Sequence, residues 1–177
     1  MPQVHLALGP ADQAHRLALE LVHGLTGQDD TRLVHACPRC GSSQHGRPVL
    51  TGPARGVHVS LARDRDHRMT VVAVCPQAPV GVDLEARGVA DFDGFDAVAR
   101  HPREGGLDAT RLWVRTEAVL KAHGVGLGVD PRTVRVDRSP VVVAGQVTQV
   151  LDVALEGDWL CSLAVLSTDE VHLHTSW

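Results

Sequence analysis

The chain has 177 residues, is 44% hydrophobic and carries a net charge of −4 with histidine neutral. That length suits one domain or two small halves, and the apolar share is enough for a buried core. The acid excess excludes a general nucleic-acid binder, which needs a basic face to neutralise phosphates, although it leaves room for a local basic pocket.

Aromatic residues make up only 3% of the chain, with no tyrosine, so Leu, Val and Ala must fill the core. No apolar run is long enough to span a bilayer. The start, Met1-Pro2-Gln3-Val4-His5, lacks a basic stretch leading into a long apolar one. A cytoplasmic protein with no membrane contact is expected. Four unevenly placed cysteines, Cys37, Cys40, Cys75 and Cys161, read as reduced thiols rather than a disulfide framework.

In chain order, Leu17, Leu21 and Leu25 recur at i, i+4, i+8 with Ala14, Ala18 and Val22 beside them. This predicts an amphipathic helix opened by Gly9-Pro10 and closed near Gly27. A polar loop and a turn-rich stretch follow, through Cys37-Pro38-Arg39-Cys40-Gly41 to His45-Gly46-Arg47-Pro48. Val57–Ser60 alternates, Met69–Val74 is nearly all apolar as in a central strand, and Val80–Glu85 alternates with carboxylates on one side. The stretch Asp91–Ala122 reads as helical, broken near His101-Pro102 and Gly105-Gly106. Asp108 is positioned to cap its last helix, and Gly124 to end it. Strands are expected at Thr133–Val136, Pro140–Val143, Val147–Ala154, Trp159–Val165 and Val171–His174. The order is mixed, giving an α+β class. A division near residue 86 separates an N-terminal half, 1–86, from a C-terminal half, 87–177.

Chemistry concentrates in Asp83-Leu84-Glu85 and Glu117. Residues i and i+2 of a strand share a face, so Asp83 and Glu85 stand side by side. Two such charges repel, and burying them costs several kcal/mol without a cation. Mg2+ suits such a pair, because it takes a few carboxylates together with waters and phosphate oxygens. Trp113, Glu117 and Lys121 lie along one helix face. Read singly, these features are also what a solvated strand edge and an ordinary helix ion pair of about 0.3–0.5 kcal/mol would give. Their combination across two segments favours a site.

Together, Val80-Gly81-Val82-Asp83-Leu84-Glu85 and Trp113-Val114-Arg115-Thr116-Glu117-Ala118-Val119-Leu120-Lys121 resemble the 4′-phosphopantetheinyl transferases, whose signature is (V/I)G(I/V)D(I/V)E followed by WxxKEAxxK. His45-Gly46-Arg47-Pro48 is similar to the family's upstream G-(K/R)-P motif. Val57-His58-Val59-Ser60 is similar to the start of its FNxSHS motif, and Gly124-Val125-Gly126-Leu127 to its G-x-G-L tail. Many actinobacterial members carry a stretch like Cys37–Gly41 in this place. The length favours the pseudo-dimeric, Sfp-type branch, in a compact or N-terminally short form. The resemblance implies two similar α/β halves with the active site in the cleft between them, in a monomer.

It further implies transfer of 4′-phosphopantetheine from coenzyme A to a serine of an apo acyl- or peptidyl-carrier protein, giving the holo-carrier and 3′,5′-ADP. Asp83, Glu85 and Glu117 would bind Mg2+. Glu117 would serve as base on the carrier serine, and Lys121 would contact the phosphates. Coenzyme A would meet Arg47, Pro48, Ser60, Asp83 and Lys121. Two positions depart from the family pattern. Leu61 stands where the family has a histidine that holds the 3′-phosphate, with Arg63 or Arg65 as the candidate substitutes, and Thr116 stands where it usually has lysine. These departures leave a second reading open, a weak or inactive homologue that binds coenzyme A or a carrier protein. Arg100, Arg103 and Arg111 are candidates to receive the acidic surface of a carrier.

Cys37 and Cys40 form a C-x-x-C pair, but a zinc ribbon needs a second pair, so structural zinc is not expected on ligand count, although His45 could join them. His172 and His174 share a strand face without a third ligand and read as surface histidines. Trp113 and Trp159 read as core anchors.

Overall fold

A computed structural model describes residues 1–37 and 40–177, and Leu127 through its backbone only; Pro38 and Arg39 of the Cys37–Gly41 stretch lie outside the described residues. The period-2 alternation of the strands decides the layering. On β1 (Gln3–Pro10) and β5 (Met69–Cys75), Val4, Leu6, Val71, Ala73 and Cys75 point one way. On β6 (Val80–Ala86) and β9 (Trp159–Leu166), Val80, Val82, Leu84, Cys161, Leu163 and Val165 meet them. This apolar layer between two sheets is the centre of the protein, and each fully buried Val or Leu in it stabilises by roughly 1.5–3 kcal/mol.

The opposite faces of the two sheets each receive a helix. Val72 and Val74 of β5 turn towards α1 (Ala14–Thr26), with Val59 of β4 (His58–Arg63). Ala18 and Val22 of α1 are fully buried against them, while Leu17, Leu21 and Leu25 pack only partly buried at the margin. The contact line of α1 therefore runs through its small residues, not through the leucine stripe that the spacing suggests. Small side chains let a helix approach a sheet closely, and the leucines then cover the flanks. On the other side α3 (Ala109–His123) packs on the second sheet.

The first sheet has the order β10-β1-β5-β4 and the second β6-β9-β8-β7, with β7 at Val141–Val143, β8 at Gln146–Val153 and β10 at His172–Ser176. A strand-helix-strand-strand order recurs: β1-α1-β4-β5, then β6-α3-β8-β9. In both, the last strand inserts between the other two and pairs antiparallel with each. A separate hairpin, β2 (Arg32–Ala36) with β3 (Arg47–Thr51), interrupts the first run. β10 leaves the second half and pairs parallel with β1.

Asp108 caps α3 by accepting from the Arg111 amide at 2.8 Å, and Gly124 ends it in the left-handed region at φ 68. A short helix, α2, spans Phe95–Ala99. The strand expected at Thr133–Val136 is not formed. Pro131–Thr133 is a 3-10 turn, because the Asp130 side chain accepts from the Arg132 amide and Pro131 begins the turn with its φ already fixed. Trp113 meets Phe95 edge-on at 6.4 Å between centroids, and Trp159 lies partly buried at the edge of the central layer. No helix among the described residues is long and apolar enough to cross a membrane.

Candidate active site

The chemistry gathers where β6 lies on α3. With Val80, Val82 and Leu84 committed to the central layer, alternation turns Gly81, Asp83 and Glu85 towards the helix. Gly81 makes this contact possible. A Cβ at that position would overlap the Ala118 carbonyl oxygen and the Ala122 amide nitrogen, so only glycine lets the strand backbone touch the helix backbone. The close approach brings Glu117 and Lys121, one turn apart, alongside Asp83.

Asp83 is 6% exposed, and its Oδ1 accepts from Lys121 Nζ at 2.6 Å. The same ammonium also reaches the Val82 carbonyl at 3.2 Å. Asp83 Oδ2 and Glu117 Oε1 are both buried with no hydrogen-bond partner. Glu85, half-buried, accepts from the Arg65 amide at 3.0 Å. All three carboxyls are pushed above the usual carboxylate range. For Asp83 the cause is burial, which outweighs Lys121. For Glu117 it is burial and then repulsion from Asp83 and Glu85, opposed by Lys121. For Glu85 burial dominates, and the Arg65 amide opposes it. Three acids thus face one ammonium, with two buried oxygens left unpartnered. That is the electrostatic state a divalent cation relieves.

The three acids do not converge as tightly as a filled cage would. Among the described residues, the group of potential ligands whose atoms all lie within 4.8 Å of one another is Cys37, Cys40 and His45, not the acids. The Lys121 ammonium occupies one oxygen of Asp83. Cys161 is no alternative nucleophile, since burial and then Asp83 raise its thiol to about 12.

The residues expected to meet coenzyme A fall in several places. Arg47 begins β3 and crosses to the end of α3, where its Nη1 would lie 2.7 Å from a Cβ on Gly124. It therefore brings a guanidinium to the end of α3 that carries Lys121. Burial, and then Arg47, lower the pKa of His58 on β4. Pro48 is half-buried on β3, opposite His35. Ser60 is 4% exposed, and its hydroxyl accepts the Val82 amide at 3.1 Å, joining β4 to β6. Arg63 donates to the Ala11 carbonyl at 2.9 Å, on the α1 side of the first sheet. Leu61 packs into the α1 cluster. Thr116 is fully buried with its hydroxyl unpartnered.

Beside the acids lies a cavity of about 270 Å³ whose walls include Arg65, Glu85, Phe92, Phe95, Val98 and Trp113. It holds both phenylalanines of the chain. Their spacing, Phe92 and Phe95 flanking Asp93-Gly94, is the signal in the sequence that could have marked this wall. A larger depression of about 480 Å³ near Gln77 and Gln146 touches none of Asp83, Glu85 or Glu117. Of the arginines suggested for a carrier surface, Arg100 pairs with Asp96, Arg111 reaches Asp152, and Arg103 is exposed. No known protein-family model matches the chain, and no curated protein matches it.

Proposed function

We propose that the protein transfers 4′-phosphopantetheine from coenzyme A to a serine hydroxyl of an apo-carrier protein, with Mg2+ as its metal. The observation that carries this reading is the pair of buried, unpartnered oxygens, Asp83 Oδ2 and Glu117 Oε1, beside Lys121 on a strand–helix contact that Gly81 permits. The repeated strand-helix-strand-strand order, with β4 and β6 joined through Ser60, also supports the expected pair of similar halves.

Asp83, Glu85 and Glu117 would hold the metal, which when bound neutralises charge on the pyrophosphate of coenzyme A. The protein's own groups account for the rest. Glu117, one turn from Lys121 on α3 and with one carboxyl oxygen unpartnered, would take the proton of the attacking hydroxyl. Lys121, held beside Asp83, would stabilise charge on the phosphate oxygen that departs with 3′,5′-ADP. Arg47 supplies a second cation at the same end of α3. Arg65, at the cavity wall, stands nearer the acids than Arg63, which is held by Ala11.

The test is the mass of an apo-carrier protein after incubation with coenzyme A and Mg2+. A phosphopantetheine adduct on the carrier serine is expected, absent when EDTA replaces Mg2+. No adduct on any of several fatty-acid, polyketide and peptide carriers would refute the proposal.

A further inference from the structure

The β2–β3 hairpin carries a second cluster, away from the acids. Its connection runs from Cys37 to Gly46, and within it one ligand atom each of Cys37, Cys40 and His45 lies within 4.8 Å of the others. Cys40 Sγ and His45 Nε2 are 3.3 Å apart. Two thiols and an imidazole at this spacing are a donor set for a borderline-soft divalent ion, zinc above all.

The backbone is arranged to hold the three together. Gly41 follows the second cysteine in the left-handed region, at φ 71. Its amide donates to the Cys37 carbonyl at 2.8 Å, and the Cys37 amide donates to the Ser42 carbonyl at 3.0 Å. The two bonds tie Cys37 to Gly41 and Ser42, the residues just after Cys40. Gly46 closes the other side. It sits at φ 104, and a Cβ there would overlap the Ala36 carbonyl and the Cys37 Cα. His35 Nδ1 donates to the Gly46 carbonyl at 3.1 Å. Gly46 is thus pressed onto the end of β2, which places His45 against the cysteine turn.

The hairpin also has reason to need a clasp. Its two strands form a sheet of their own, and Arg32, Val34, Ala36 and Thr51 are exposed. Leu33 and Leu50 anchor the strands on the α1 cluster, but no described residue from 37 to 46 enters a core cluster, and metal binding supplies folding free energy where a core does not.

We propose that Cys37, Cys40 and His45 bind one zinc ion, with water in the fourth position, and that this ion clasps the β2–β3 hairpin. Each cysteine binds as thiolate and releases its proton to solvent, so that two thiolates balance the charge of the ion. Ligand count in the sequence argued against zinc because a second C-x-x-C pair is missing, with His45 noted as able to join, and the fold brings His45 to the pair. Arg47 follows the site directly, so the clasp also fixes the strand that carries this arginine to α3. That consequence depends on the proposed function, whereas zinc binding does not.

The full chain, purified without chelator, is expected to contain about one zinc per molecule. Replacing zinc with Co2+ should give the intense d–d bands of tetrahedral cobalt and a thiolate-to-cobalt charge-transfer band. Cys40→Ser should weaken binding by at least about tenfold. His45→Cys should keep the ion and strengthen the charge-transfer band, which preserves the test if the serine variant fails to fold. Glu117→Gln should leave the cobalt spectrum unchanged, separating this site from the carboxylates. Wild type that neither contains zinc nor takes up cobalt would overturn the proposal. So would an unchanged charge-transfer band in His45→Cys, or a cobalt spectrum lost in Glu117→Gln.

Discussion

Asp64 and Asp83 are buried almost equally, at 1% and 6% exposure, yet they are held in opposite ways. Asp64 closes the turn after β4. Its oxygens accept from the amides of Arg68 at 2.7 Å, Met69 at 2.6 Å and Asp66 at 3.2 Å, and from Arg68 Nε at 3.4 Å. Burial pushes its pKa up, but the Met69, Arg68 and Asp66 amides outweigh burial and hold it below the usual range. Asp83 has Lys121 on one oxygen and nothing on the other, and its pKa is raised. The difference teaches that burial alone does not mark a functional acid. A buried carboxylate with all its donors supplied stabilises the native chain, whereas one short of donors weakens it.

The largest effect that would break this contrast concerns catalysis. Asp83→Asn and Glu117→Gln are expected to slow carrier modification by about 10²–10³-fold, the range seen when one group stabilising a transition state is removed. In urea unfolding Glu117→Gln should cost nothing or add stability, because it removes a buried charge that repels Asp83, whereas Asp83→Asn also strips Lys121 of its ion-pair partner and should cost stability. A marked loss of stability in Glu117→Gln would mean that this acid is as structural as Asp64.

Next in size is Asp64→Ala. It strands three backbone amides and should lower stability by about 3 kcal/mol, read from the urea midpoint. An Asp64→Ala protein as stable as wild type would erase the distinction from the other side.

A third test uses pH. For Asp83, Glu85 and Glu117 the folded pKa lies above the unfolded one. Their contribution is fully present below the ordinary carboxylate value of about 4 and is lost as pH rises through the raised values. Asp64 runs the other way, its contribution present above that value and lost as pH falls through its lowered one. The rise in melting temperature on adding Mg2+ should therefore grow from acid to neutral pH. In Glu117→Gln the growth should be much reduced. A Mg2+ increment independent of pH would detach the metal from these acids.

The smallest effect is at Thr116. Its hydroxyl is buried and unpartnered, so Thr116→Val should stabilise by about 1 kcal/mol in the same urea measurement. A loss of stability would show that the hydroxyl has a partner after all.

Much of the site is legible in the residues. Strand alternation places Asp83 and Glu85 on one face, and helical spacing places Glu117 and Lys121 on another. The capping of α3 by Asp108 and its end at Gly124 follow from local chemistry that the sequence displays. What joins the two faces is less legible, because the need for glycine at position 81 is set by the backbone of α3, distant in sequence. Asp64 has the local chemistry of a turn-opening aspartate, with donors two, four and five residues on, but its burial depends on β4 and β5 being paired. β1 does show its period in Val4, Leu6 and Leu8, whereas β2 and β3 are short and half-exposed and have little apolar period to read. His45 closing on Cys40 depends on Gly46 fitting against the end of β2, and nothing in a count of cysteines reports that.

The parallel pairing of β10 with β1 has a consequence for how the protein is made. The first sheet is built from residues near the start of the chain, but one neighbour of β1 is supplied by residues 172–176. During synthesis on the ribosome, β1, α1, β4 and β5 can all emerge while the outer edge of β1 still exposes unpaired amides and carbonyls. A nascent sheet with an open edge invites pairing with another chain. The order of translation therefore gives this fold a vulnerable interval that ends only when its last strand arrives.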